Sequence, residues 1–167
     1  MLMKRRYLSA IAVFVLIAGF YGWAGANEAM KQDAMNMVEK AGRLIEENGD
    51  AALAVISDTK GEFIDREKAL YVFVYNKDVV IVAHPYRPDL IGQPMKWKFD
   101  GRGKMFHHEI VKKALTEGSG WTKYVWQKPV SVGEEVKYQA MYVKNSYAKL
   151  FQYGDKKYIV CSGIYEE

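Results

Sequence analysis

Apolar and polar positions divide the chain into a leader, a helical stretch and a series of strands. An apolar run covers residues 8–24, broken only by Ser9 and glycines. Over 27–58 apolar residues recur at steps of three and four. Met30, Ala34, Met37, Val38, Ala41, Leu44 and Ile45 form one helical stripe. Asn27 is placed to cap this helix, Asn48-Gly49-Asp50 breaks it, and Asp50 can cap a second short helix over 51–57. From residue 70 the period changes. Residues 70–75 are β-branched and aromatic, Asn76-Lys77-Asp78 is a turn, and 79–83 return as the second strand of a hairpin. His84-Pro85 ends it, because proline cannot donate to a ladder. A loop rich in proline and glycine leads to a helix over 104–117. Phe106, Ile110, Val111, Ala114 and Leu115 form its apolar face and Gly118 its stop. Strands follow over 120–126, 136–144 and 157–165, with a further short one at 150–153. This order predicts an α+β domain: a PAS-like antiparallel sheet of about five strands, a long N-terminal helix packed along it, and a short helix between strands two and three.

Composition changes the picture at the leader. Lys4, Arg5 and Arg6 precede the apolar run, which ends in Ala24-Gly25-Ala26, small residues suited to signal peptidase. Residues 1–26 are expected to be a signal peptide, cleaved after Ala26, that exports the protein to the periplasm. The alternative is an uncleaved inner-membrane anchor facing the periplasm, since the run is close to the minimum for a hydrocarbon core of about 30 Å. The formal net charge is +4, and the leader supplies three of those charges, so residues 27–167 carry 4 − 3 = +1. With no basic run left, nucleic-acid binding has no support. The single cysteine, Cys161, excludes a disulfide framework and a cysteine-based zinc site, and its apolar surroundings read as a packed thiol.

Several stretches, in order, resemble the single Cache domain, type 2. They are Tyr71-Val72-Phe73-Val74-Tyr75, the return ending Ala83-His84-Pro85, Pro88-Asp89-Leu90-Ile91-Gly92, and Asp100-Gly101. After these come Gly118-Ser119-Gly120-Trp121 with Tyr124 and Trp126, then Tyr142-Val143-Lys144, then Gly163-Ile164-Tyr165. The resemblance spans nearly all of 27–167. It implies an extracytoplasmic PAS-like sensor domain that binds small metabolites, often short carboxylates, over its sheet, of the kind found on chemotaxis receptors and sensor kinases. The chain departs from that pattern in two ways. It ends at Glu167 without a second membrane helix or signalling domain, so a freestanding binder that presents its ligand to a membrane receptor or kinase is expected. It also carries Gln139 where the family often has Lys, three residues before Tyr142.

Residues two apart on a strand share a face, so Tyr71, Phe73 and Tyr75 lie together, opposite Val72 and Val74. That aromatic face reads as a pocket wall, or as the surface on which the N-terminal helix packs. His84 either donates hydrogen bonds to an anion or orders its own proline-rich turn. Tyr124 and Trp126 share a face, as do Tyr142 and Lys144. Lys144 brings a positive charge, unless it ends its strand in water. Arg102, in a glycine-rich loop, reaches over the pocket or lies in solvent. These nine residues, Tyr71, Phe73, Tyr75, His84, Arg102, Tyr124, Trp126, Tyr142 and Lys144, are the predicted ligand-binding set.

Adjacent helical residues point about 100° apart, so His107-His108-Glu109 reads as helix surface rather than a metal site. No HExxH, P-loop, GxGxxG or nucleophile motif is present, so no enzyme, metal or cofactor is expected. The function read from the sequence is a sensor domain for a small organic acid, with a homodimer through the N-terminal helix as a further expectation. The alternative is an interaction or assembly module without a ligand, for which Met30, Met35 and Met37 offer a helix-to-helix contact.

Overall fold

The computed structural model describes the backbone of residues 7–132 and 135–166 and the side chains of 27–130 and 136–166. The leader expected over 1–26 therefore lies outside the residues described in full. Helix α1, Tyr7–Asn48, runs through Asn27, which is an interior position in the full chain and not a cap. Among the described residues no helix is long and apolar enough to cross a membrane. Helix α1 ends at Gly49, whose positive φ of 57° reverses the chain into α2, Ala51–Ile56. Asp50 makes no side-chain cap bond. Its carboxylate accepts from the Tyr158 hydroxyl at 2.5 Å and pairs with Lys156, tying the turn to the sheet instead.

Short strands β1, Ile64–Asp65, and β2, Leu70–Tyr71, form a two-stranded sheet that the sequence pattern did not reveal. The main sheet holds β3, Phe73–Asn76; β4, Ile81–Ala83; β5, Ser119–Val132; β6, Glu135–Tyr153; and β7, Lys156–Glu166. All pairs are antiparallel, in the order β4-β3-β7-β6-β5. This is the expected α+β architecture, with α3, Phe106–Glu117, between the hairpin and the three long strands. One boundary differs. The separate strand expected at 150–153 is the far half of β6, which pairs with β7 without a break from Val143–Glu166 to Tyr153–Lys156. Lys144-Asn145-Ser146 reads as a strand end because it is polar, yet all three residues are buried inside the sheet.

The two sheet faces are covered differently. Val72, Val74, Val160, Tyr147 and Phe151 pack against Val38, Ala41 and Ile45 of α1 and Ala52 and Ile56 of α2. Here α1 comes so close that a Cβ on Gly42 would lie 2.1 Å from the Phe151 ring. Tyr71, Phe73, Tyr75, Tyr124, Cys161 and Tyr165 belong to the other face, with Phe106, Ile110, Val111 and Ala114 of α3 and Tyr86 and Met95 of the loop. The aromatic set therefore does not pack on the N-terminal helix. On α3, Leu115 is exposed, contrary to expectation, and His107 is buried in the apolar face. His107 lies four residues before Val111 and seven before Ala114, which puts it on their stripe.

Candidate ligand-binding site

Strand register assembles the site. Lys144 pairs with Tyr124 on one side and Tyr165 on the other, and Phe73 pairs with Cys161 across β7. The Lys144 Nζ lands 3.7 Å from the centre of the Tyr71 ring, 4.9 Å from Tyr165 and 5.2 Å from Phe73. Lys144 is 0% exposed, and its Nζ has no hydrogen-bond partner. An ammonium out of water with no anion is costly, and ring faces return only part of that loss. Burial accordingly pushes the Lys144 pKa well below its ordinary value, with the nearby Cys161 thiol acting the other way. Lys144 does not end its strand in solvent, as the polar run around it suggests.

Both histidines at the site are held neutral. His84 is 4% exposed, and its Nδ1 accepts from the backbone N–H groups of Tyr86 at 3.2 Å and Arg87 at 3.0 Å. This orders the turn after β4, one of the two roles foreseen for it. The ring also faces Tyr71 and Phe73 at 5.2 and 5.8 Å between centroids. Burial pushes the His84 pKa down to about 3. His107 Nδ1 lies 2.6 Å from the Tyr75 hydroxyl. Burial raises Tyr75 well above its ordinary pKa and pushes His107 down to about 3, so the phenol donates and the imidazole accepts. With Nδ1 accepting in each ring, Nε2 carries the proton in both. Reading His107 as a surface residue is thus a correction. Its Nδ1 bond and its place on α3 put a second imidazole donor at the site.

Two of the phenols, Tyr71 and Tyr165, bond to each other. Tyr165 donates to the Gln127 carbonyl at 2.8 Å, so in the 3.3 Å contact between Tyr71 and Tyr165 the Tyr71 hydroxyl is the donor. Tyr124 bonds Ser146 at 2.9 Å. Phe106 stacks on Tyr124 at 4.0 Å, with an interplanar angle of 8°. Tyr138 reaches from β6 to donate to the Tyr86 carbonyl across the mouth of the loop.

Tyr71, Phe73, Tyr75, His84, Tyr124 and Trp126 of the predicted set line one internal space, together with Ile81, Phe106 and His107, which the sequence reading did not include. That space is only about 10 Å³, the room of a single water. Lys144 stands beside it, with the rings of Tyr71 and Phe73 as the common wall. Tyr142 pairs with Trp126 and is partly buried against the same cluster, under the Lys128 ammonium at 5.4 Å. Arg102 is not brought in. Its side chain is exposed in a loop whose organiser is Asp100. Asp100 Oδ1 accepts from the N–H groups of Arg102 and Lys104 at 2.9 Å each, and Oδ2 from Val125 at 2.9 Å. Burial raises the Asp100 pKa, and these donors more than reverse that, leaving it below the usual carboxylate value. Among the described residues no three His, Cys, Asp or Glu side chains form a metal-binding group.

The sequence matches the profile of the family "Single Cache domain 2" over residues 26–149, about three quarters of the chain. Solved structures with the same fold include a "periplasmic sensor domain of chemotaxis protein". It is 24% identical at a TM-score of 0.59, over 87% of this chain and 98% of that one. A methyl-accepting chemotaxis protein from Vibrio parahaemolyticus is 19% identical at a TM-score of 0.65, over 85% and 92%. A third, whose description is "Structural basis for carboxylic acid recognition by a Cache chemosensory domain", is 24% identical at a TM-score of 0.62, over 86% and 98%.

Proposed function

The chain belongs to the single Cache domain 2 family, a family of sensor domains, and we propose that it is a periplasmic receiver for a small organic acid. The observation that carries this reading is the Lys144 side-chain nitrogen: fully buried, unpartnered and walled by Tyr71, Phe73 and Tyr165. A carboxylate supplies what this site lacks, an acceptor for the Lys144 nitrogen. His84 Nε2–H, His107 Nε2–H and the Trp126 indole N–H are further donors around the neighbouring space. The related domain described for carboxylic acid recognition supports the same ligand class. Since the space holds about one water, binding requires the Tyr71 ring to swing aside and join Lys144 to it. That displacement is the structural change a partner can read. Residues 1–26 act as the export signal or anchor and 27–167 as the domain. The occupied state passes to a membrane receptor or kinase, with α1 as the reporting element and a second copy as its candidate partner.

The small size of the space favours a second reading, an assembly module whose pocket is filled by its own rings. A thermal-shift panel of acetate, propionate, pyruvate, amino acids and amines separates the two. Under the sensor reading a carboxylate at 100 times its Kd adds about 2.7 kcal/mol to stability. No shift with any compound favours the assembly module.

A further inference from the structure

The charges around Lys144 can be counted group by group. From β2 and β7 the facing groups are the phenols of Tyr71 and Tyr165 and the thiol of Cys161. From β5 it is the phenol of Tyr124. After β4 it is His84, and on α3 His107 with its Tyr75 partner from β3. Every one of them is neutral. Burial pushes the Tyr71, Tyr165, Tyr124 and Cys161 groups up and both histidines down, away from neutral pH on either side. The histidines cannot easily become cations, because each Nδ1 already accepts a hydrogen bond. Arg87, a cation acting on His84, is committed to Asp89 at 2.8 and 2.7 Å. No carboxylate accepts from the Lys144 Nζ or pairs with it among the described residues.

We propose that this site takes a monocarboxylate together with one proton from solution. The empty cluster holds Lys144 as a free amine. The incoming carboxylate supplies the anion that makes an ammonium tolerable, the amine lone pair takes a proton from the solvent, and an ammonium–carboxylate pair of zero net charge is buried. A dicarboxylate brings a second negative charge, and among the described residues no Lys or Arg other than Lys144 is buried, so it is disfavoured. This inference rests on the carboxylate reading above and adds the charge and the proton stoichiometry.

The test is titration calorimetry of the full chain with propionate, in HEPES and in Tris, across pH 7–9. The two buffers differ in ionisation enthalpy, so the difference in observed heat counts the protons taken up. One proton per propionate is expected. Affinity should fall about tenfold per pH unit while Lys144 is an amine in the free protein and an ammonium in the complex. Succinate should bind at least about tenfold more weakly than propionate, its second charge going unpaired. Propionate binding with no proton uptake and a flat pH profile overturns the inference and leaves the carboxylate reading standing, as does succinate binding as tightly as propionate. No binding of acetate, propionate or pyruvate at any pH overturns the carboxylate reading and the inference together.

Discussion

Both faces of the five-stranded sheet are buried, but they are built from different chemistry. Under α1 and α2 lie Val72, Val74, Val160 and Phe151, meeting Val38, Ala41 and Ile45. Close approach at Gly42 fixes that contact. Under α3 lie phenols, two imidazoles and an amine, each deprived of charge by its surroundings. The first face earns stability through apolar burial. The second gives some of it up, since a buried polar group without a partner costs free energy. A fold that needed only stability would place Met or Leu at 144. That the lysine sits at the centre of a pairing register, between Tyr124 and Tyr165, marks this face as the one shaped for binding.

Substitutions on the two faces should therefore act with opposite sign. Ile45→Ala leaves a hole beneath α1 and is expected to destabilise the domain by about 2–5 kcal/mol, with propionate binding by the remaining folded protein unchanged. Denaturant unfolding and calorimetry read the two effects separately. A small stability loss would break the claim that α1 provides the packed side. Lys144→Met keeps the apolar stem and removes the amine. It should stabilise the ligand-free domain by about 2–4 kcal/mol at pH 7 and abolish propionate binding. The sign with pH follows from linkage. The folded lysine pKa is lowered, so in the wild type the unfolded chain binds more protons up to the ordinary value of 10.5. Wild-type stability thus rises relative to the variant by about 1.4 kcal/mol per pH unit, and the advantage of Lys144→Met shrinks as pH increases. A variant less stable than wild type at pH 7, or an advantage that does not change with pH, contradicts the assignment.

Much of the fold was legible from a clean period of 3.6 along α1 and from β-branched and aromatic runs in the β3–β4 hairpin and β7. The sheet face used for the site was not. Tyr71-Val72-Phe73-Val74-Tyr75 is apolar on both sides, so alternation alone does not say which set meets α1. The extent of β6 was hidden for a related reason. Lys144-Asn145-Ser146 carries the polar signature of a strand end, yet all three residues are buried. His107 was visible in principle, through its spacing to Val111 and Ala114. Polarity had removed it from the apolar stripe, although a neutral imidazole with a buried phenol partner behaves as core. Arg102 was drawn in by its glycine-rich neighbourhood. The residue that matters in that loop is Asp100, whose carboxylate gathers three backbone donors.

The central claim is that Lys144 is an uncharged amine in the empty domain, waiting for an anion. Nuclear magnetic resonance of lysine labelled at Cε and Nζ follows its titration directly. The account predicts that the Lys144 signal titrates well below the ordinary value of 10.5 without ligand and moves back up when propionate is added. A Lys144 signal that titrates with the surface lysines, whether or not propionate is present, would contradict it.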